Sequence, residues 1–139
     1  MSSIIEQAVQ ARLVASAPKM ESVPTTLRYD RADPFAVSME FPAPATLEGT
    51  EVSWAFSREL LAAGMEEPAG VGDVRVRPYG WDRTVVEFHA PEGTAMVHIR
   101  TSELREFLER VDGLVPQGHE HLFLDLDGDL AELMGGGAC

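Results

Sequence analysis

Leu27-Arg28-Tyr29-Asp30-Arg31-Ala32-Asp33-Pro34-Phe35-Ala36-Val37 reads as a strand, a tight polar corner and the start of a second strand. Leu27 and Tyr29 fall on one strand face. Proline fixes its own φ and pushes the residue before it out of the helical region, so Asp33-Pro34 bends the chain. Beyond the corner, Phe35, Val37, Met39 and Phe41 alternate with Ala36, Ser38 and Glu40, the two-residue period of a half-buried strand. A strand–corner–strand unit of this kind belongs to an antiparallel sheet. It holds no catalytic spacing.

The same period recurs along the chain. Ile5, Val9, Ala11, Leu13 and Ala15 alternate with polar residues and predict a first strand, a helix over Ile4 to Leu13 being the alternative. Pro18 to Pro24 reads as a connector, followed by strands over 25–30 and 35–41 and a loop with Pro42, Pro44 and Gly49. Val52, Trp54 and Phe56 predict a further strand that runs into a short helix, with Ser57 as N-cap, Glu59 in the first turn and Gly64 as C-cap. Three more strands are expected over 73–78, 83–89 and 94–100, the last two joined by a hairpin-like Pro91-Glu92-Gly93. Thr101 is a candidate N-cap for a helix with Leu104, Phe107, Leu108 and Val111 on one face and a Glu106–Arg110 pair on the other, stopped by Gly113 and Pro116. A last helix is expected from near Asp125, with Leu126, Leu130, Leu133 and Met134 as its stripe. Consecutive strands joined by short turns predict an α+β fold with antiparallel sheet, about seven strands and three helices, two of them C-terminal. One domain is expected over 1–134, with 135–139 as a disordered tail.

Composition narrows the function classes. The formal net charge is −12, and residues 101–139 carry nine acids against two arginines. Such a chain repels polyanions at long range, which weighs against nucleic acid or an anionic membrane as its main partner. No apolar run reaches the roughly 18 residues of a membrane span. The first residues, Met1 to Glu6, lack the basic and apolar regions of an export signal, so the chain is expected to be cytoplasmic. The single cysteine, Cys139, follows three glycines and reads as an inert terminal thiol.

The candidate chemistries fail one by one. Asp125-Leu126-Asp127-Gly128-Asp129 opens like a calcium loop, but Leu130 and Gly136 stand where the glycine and the bidentate glutamate belong. Those acids read as the charged first turn of a helix. His119-Glu120-His121 has too few ligands for a zinc site unless His89 or His98 converges on it, and a polar loop is the plainer reading. Gly70-Val71-Gly72 precedes a strand, not the helix a phosphate cradle needs. No nucleophile elbow or triad spacing is present. No catalytic residue, metal or cofactor is assigned. The one basic and aromatic cluster is Arg75, Arg77, Tyr79, Trp81 and Arg83. It reads as a single-stranded nucleic-acid platform, a protein-binding patch or the wet face of a strand. The net charge favours the last two, and Arg75, Arg77, Tyr79 and Trp81 are the candidate partner-binding residues.

Five blocks carry a family resemblance: Leu27-Arg28-Tyr29 with Asp33-Pro34-Phe35-Ala36-Val37; Trp54-Ala55-Phe56-Ser57-Arg58-Glu59-Leu60-Leu61; Gly70-Val71-Gly72-Asp73-Val74-Arg75-Val76; Phe107-Leu108-Glu109-Arg110-Val111-Asp112; and Val115-Pro116-Gln117-Gly118-His119-Glu120. In this order and spacing the chain resembles the SsgA-like proteins, small sporulation and cell-division regulators of filamentous, spore-forming actinomycetes. The arginine-rich composition, with one lysine and no asparagine, is that of a GC-rich genome and agrees. The resemblance implies a non-catalytic scaffold of sporulation septation that acts by protein–protein contact at division septa. Implied partners are division or cell-wall proteins, FtsZ and other SsgA-like proteins among them. It also implies a whirly-type, barrel-like α+β body assembled as a homotrimer. Whirly-like single-stranded nucleic-acid binding is the alternative function, and an enzyme with a pocket that leaves no sequence pattern is a further rival. Phe35 stands where the family often has tyrosine and Val111 where it often has threonine; both keep bulk and lose a hydroxyl. Within the blocks, Tyr29, Pro34, Trp54 and Phe56 are expected to be structural, and Arg28, Asp30, Asp33 and Arg58 to form an ion-pair set at the corner.

Overall fold

The computed structural model of the chain describes residues 3–14, 21–42, 52–91 and 93–123. Strands β1 (Ile4–Val14), β2 (Glu21–Asp30), β3 (Ala36–Phe41) and β4 (Val52–Ser57) lead into helix α1 (Arg58–Gly64). Strands β5 (Val74–Tyr79), β6 (Arg83–Ala90) and β7 (Gly93–Arg100) lead into helix α2 (Thr101–Leu114), and a 3-10 turn covers Glu120–Phe123. All strand pairs are antiparallel, in the order β4-β3-β2-β1-β7-β6-β5. Two meanders, β1–β4 and β5–β7, therefore meet at one joint. There Arg12, Leu13 and Val14 pair with His98, Val97 and Met96.

The sheet is a curled, open half-barrel. The curl follows from one side chain. Phe88 on β6 lies 4.9 Å from the Trp54 ring, 5.9 Å from Phe41 and 6.1 Å from Phe56. Five strand spacings separate β6 from β4, about 24 Å in a flat sheet. Only a sheet rolled upon itself brings these rings together. The rolled face holds Leu27, Tyr29, Val37, Met39, Val76, Val97 and Ile99, all at most 2% exposed. Helix α2 adds Leu104, Phe107 and Val111 to that core. The Gln7 side chain donates to the Glu103 carbonyl at 2.9 Å, fixing β1 to the helix.

Helix α1 spans from one sheet edge to the other, since it follows β4 and packs on β5. Ser57 caps it, its Oγ accepting from the Leu60 N–H at 3.1 Å. Gly64 is the last helical residue rather than the C-cap, a role taken by Met65. A Cβ at position 64 would land on the Val76 side chain, so this glycine serves close helix–sheet approach. Outside β5, Ala69 and Val76 exchange both backbone hydrogen bonds and cover part of that edge.

Several expectations need correction. The connector expected to run to Pro24 ends earlier, because β2 begins at Glu21. Pro24 is tolerated since β2 pairs there with β1 alone, and β3 joins only at Thr26–Arg28. Phe35 lies outside β3 and is 48% exposed. The Ala36 N–H bonds the Asp33 carbonyl, which makes Pro34-Phe35 the centre of a turn, with proline at its favoured position. The family's tyrosine hydroxyl is thus lost at a surface site, whereas Val111 is fully buried. Thr101 is inside α2, not its N-cap; its hydroxyl is spent on Thr84, 2.9 Å away and buried. Arg110 does not pair with Glu106 but reaches Gln7 Oε1 at 3.2 Å. The calcium-like acids, the last expected helix, the glycine tail, Cys139 and most of the loop after Pro42 lie outside the described residues.

Candidate functional site

Strand alternation puts Arg75, Arg77 and Tyr79 on the convex face of β5, opposite the core residues Val74 and Val76. Gly80, at φ 70°, turns the chain there, and Trp81 projects from the turn at 93% exposure. Tyr79 is 52% exposed. The patch is not one uniform cluster. Arg77 Nε donates to Glu87 Oε2 on β6 at 2.9 Å and its guanidinium lies 6.0 Å from the Tyr79 ring centre. Among the described residues, Arg75 reaches only the Gly72 carbonyl, at 3.4 Å. Arg75 and Trp81 are therefore open to solvent, Tyr79 is half-covered and in contact with Arg77 and the edge of His98, and Arg77 is already paired with Glu87.

The Arg77 hydrogen bond holds the Glu87 carboxyl below the ordinary glutamate value of 4.5, with His89 adding in the same direction. As pH falls, the unfolded chain takes up that proton first. The pair thus stabilises the fold above the ordinary value and loses its contribution as pH drops through the folded-state value. A double-mutant cycle on Arg77→Ala and Glu87→Ala is expected to show favourable coupling at neutral pH and none in strong acid, read by denaturant unfolding.

The signature residues at the corner build a second constellation. Arg58, 5% exposed, lies 3.3 Å from Asp112, 3.8 Å from Glu120 and 3.5 Å from the Tyr29 hydroxyl. Tyr29 donates in turn to the Pro34 carbonyl at 3.0 Å. Burial pushes the Tyr29 phenol up, and the Arg58 charge pulls it back. Asp112 Oδ1 also accepts from the Gln117 N–H at 2.7 Å, which ties down the loop after α2. Arg58 thus fastens β2, α1, α2 and the 3-10 turn at one point. The expected ion-pair set at the corner is corrected: Arg58 turns away from Asp33 to Asp112 and Glu120. Among the described residues, Arg28 has only Asp30, at 4.0 Å with both side chains about one-third exposed, 35% and 31%. Asp33 acts through its backbone, closing turns with Asp30 and Ala36. Arg28→Ala is therefore expected to move the melting temperature by no more than about 2 °C, the effect of a surface pair.

A groove of about 460 Å³ opens beside this clamp, between α1 and α2, lined by Glu59, Glu66, Arg105 and Glu109 with Arg58 at its floor. It holds no pairing of nucleophile and base. The histidines do not converge either. His89 bonds Glu87 at 3.1 Å, His98 packs on Tyr79 at 5.0 Å, and His119 and His121 lie beyond α2. Among the described residues no group of three or more metal-ligating side chains comes together, and no helix is long and apolar enough to cross a membrane. Sequence reasoning missed Asp112 and Glu120 as partners of Arg58. Both close signature blocks, and an arginine in one block with acids ending two others was the available signal.

The described residues thus form a curled antiparallel half-barrel with packed helices and an internal charge clamp. The family model described as Streptomyces sporulation and cell division protein, SsgA, matches residues 23–120, and the chain belongs to this family. The sporulation-specific cell division protein SsgB of Streptomyces coelicolor is 40% identical over 137 residues, 96% of this chain and 98% of that protein. SsgB of Salinispora tropica is 40% identical over 95% of this chain and 94% of that protein. A solved SsgA-like sporulation-specific cell division protein from Thermobifida fusca superposes with a TM-score of 0.80 at 32% identity, covering 95% of this chain and 98% of that one. A second solved structure, from work in which mutations in SsgB correlate to longitudinal cell division during sporulation of Streptomyces coelicolor, gives 0.76 at 37% identity, over 87% and 95% of the two chains.

Proposed function

We propose that this chain is a single-domain, non-catalytic regulator of sporulation-specific septation that works by protein–protein contact. The observation that carries the reading is family membership over nearly the whole length of relatives named for sporulation-specific division. The partners are division or cell-wall proteins, FtsZ or another SsgA-like protein among them, met in the cytoplasm at forming septa. Arg75, Arg77, Tyr79 and Trp81 are the contact candidates, since aromatic residues and arginine dominate interface energetics. The active form is a homotrimer, which presents one patch three times and can raise apparent affinity by about 10²–10⁴ through avidity.

The test is a pull-down from sporulating cells, read by mass spectrometry, with the wild-type chain and a Tyr79→Ala/Trp81→Ala variant. Division or wall proteins are expected with the wild type and not with the variant. The variant is expected to melt within about 5 °C of wild type: Trp81 is 93% exposed, and the half-exposed Tyr79 gives up its edge contact with His98. Recovery of small-metabolite enzymes alone, with no division or wall protein, overturns the reading. The exposed aromatics beside arginines favour single-stranded nucleic acid as the second reading. Tight, salt-steep gel shifts of oligonucleotides would establish it in place of the first.

A further inference from the structure

We propose that the convex face of the half-barrel carries a pocket for a small tetrahedral oxyanion, with phosphate as the reference ligand, built from Arg12, Arg83 and Arg100 around the buried His98. The cavity measures about 270 Å³. It straddles the joint between the two meanders, so its residues come from opposite ends of the sequence. In register, Arg12 on β1 faces His98 on β7, and Arg100 on β7 faces Arg83 on β6. Like charges directly opposite each other destabilise a sheet. Among the described residues, none of the three arginines makes an ion pair or a side-chain hydrogen bond, although the chain has 23 acids to 11 lysines and arginines. An acidic protein that leaves three guanidinium groups together and unpaired supplies what an anion needs.

Among the described residues, two buried polar atoms in the lining are also left without a partner. His98 is 7% exposed, and its Nδ1 has no hydrogen-bond partner; neither has Glu103 Oε2. Glu103 lines the pocket but pairs with none of the arginines, so the local balance stays positive. Helix α2 begins at Thr101 beside this pocket with no side chain capping it, and its dipole adds to the positive potential. Burial first, then the charges of Arg83, Arg77 and Arg12, hold His98 below the ordinary histidine value. The groups facing it are Arg12 from β1, Arg77 and Tyr79 from β5, Arg83 from β6, Arg100 from its own strand and Glu103 from α2. An oxyanion among them offsets the arginine charges and raises the His98 pKa. Guanidinium forks match phosphate oxygens two at a time, which favours a tetrahedral dianion over chloride.

The test is an NMR titration of the full chain with inorganic phosphate at constant ionic strength, chloride serving as the control. Saturable shifts at His98, Arg12, Arg83 and Arg100 in the millimolar range are expected, with the His98 pKa rising as the site fills. Arg12→Ala/Arg83→Ala is expected to weaken binding at least about tenfold, and Arg83→Lys to keep part of it. Thermal melts of both variants without phosphate check folding, and phosphate is expected to raise only the melting temperature of a binding-competent chain. Shifts that rise linearly and are matched by chloride overturn the proposal, as does a folded double variant that titrates like wild type. Competition by a short single-stranded oligonucleotide assigns the phosphate to a strand; competition by small phosphomonoesters alone assigns it to a soluble ligand.

Discussion

Alanine at position 64 is expected to destabilise this protein by about 2–3 kcal/mol, the cost of overpacking a closed contact. Helix propensity alone points the other way, since alanine is better than glycine in a helix by about 1 kcal/mol. The contact decides the sign. The added Cβ would meet the Cβ and Cγ1 of Val76 and, at 2.9 Å, its carbonyl carbon, which cannot swing aside. The expected fall in melting temperature is about 5–10 °C. Val76→Ala removes Cγ1 but leaves the Cβ and the backbone in place. The double variant Gly64→Ala/Val76→Ala is therefore expected to stay well below Val76→Ala alone. A Gly64→Ala chain that melts at or above the wild-type temperature would show that α1 does not sit tightly on β5.

Arg58→Ala is expected to cost about 3 kcal/mol, at the lower end for breaking a buried charge pair by removing one partner. The loss falls unevenly. Glu120, with 14% of its side chain exposed, keeps a carboxylate with little water, and Tyr29 loses a donor inside the core. Asp112, at 57% exposure, is rehydrated at small cost. Asp112→Ala leaves the buried Arg58 with Glu120 and removes the acceptor of the Gln117 N–H, and is expected to lose about 1–2 kcal/mol. Arg58→Lys is expected to fall between, because an ammonium lacks the two-pronged fork that reaches Asp112 through one nitrogen and Tyr29 and Glu120 through the other. Equilibrium urea unfolding of the three variants reads the order Arg58→Ala, then Arg58→Lys, then Asp112→Ala. If Arg58→Ala unfolds like wild type, the clamp contributes nothing to stability and the arginine's place in a signature block needs a partner outside the chain.

Local alternation made the strands legible. Val74 and Val76, Val97 and Ile99, and Leu27 and Tyr29 all face the core as the two-residue period requires. The turns were harder, because one residue type serves several purposes. Thr101 had the chemistry of an N-cap, yet a buried hydrogen bond to Thr84 claimed its hydroxyl. Gly64 had the conformational freedom of a C-cap, yet its value lies in having no side chain. Pro24 has the chemistry of a connector's end, yet it lies within β2, opposite Gln10 of β1. The curl does not follow from local alternation, since Phe88 finds its ring partners on strands far away in sequence; only the family resemblance implied a barrel-like body. The site divides in the same way. Arg75, Arg77, Tyr79 and Trp81 are neighbours along the chain and were visible as a cluster. Arg12 becomes a neighbour of His98 and Arg100 only when the first strand pairs with the last.

That pairing has a kinetic consequence. Each meander is made of hairpins whose partners are close in sequence, so each can zip up without waiting for the other. The joint at Arg12–Val14 must instead close a loop most of the chain long, and its entropy cost is incurred before any contact across it forms. Refolding should therefore proceed as two fast local events followed by one slow docking, with the first and last strands the final ones to lock.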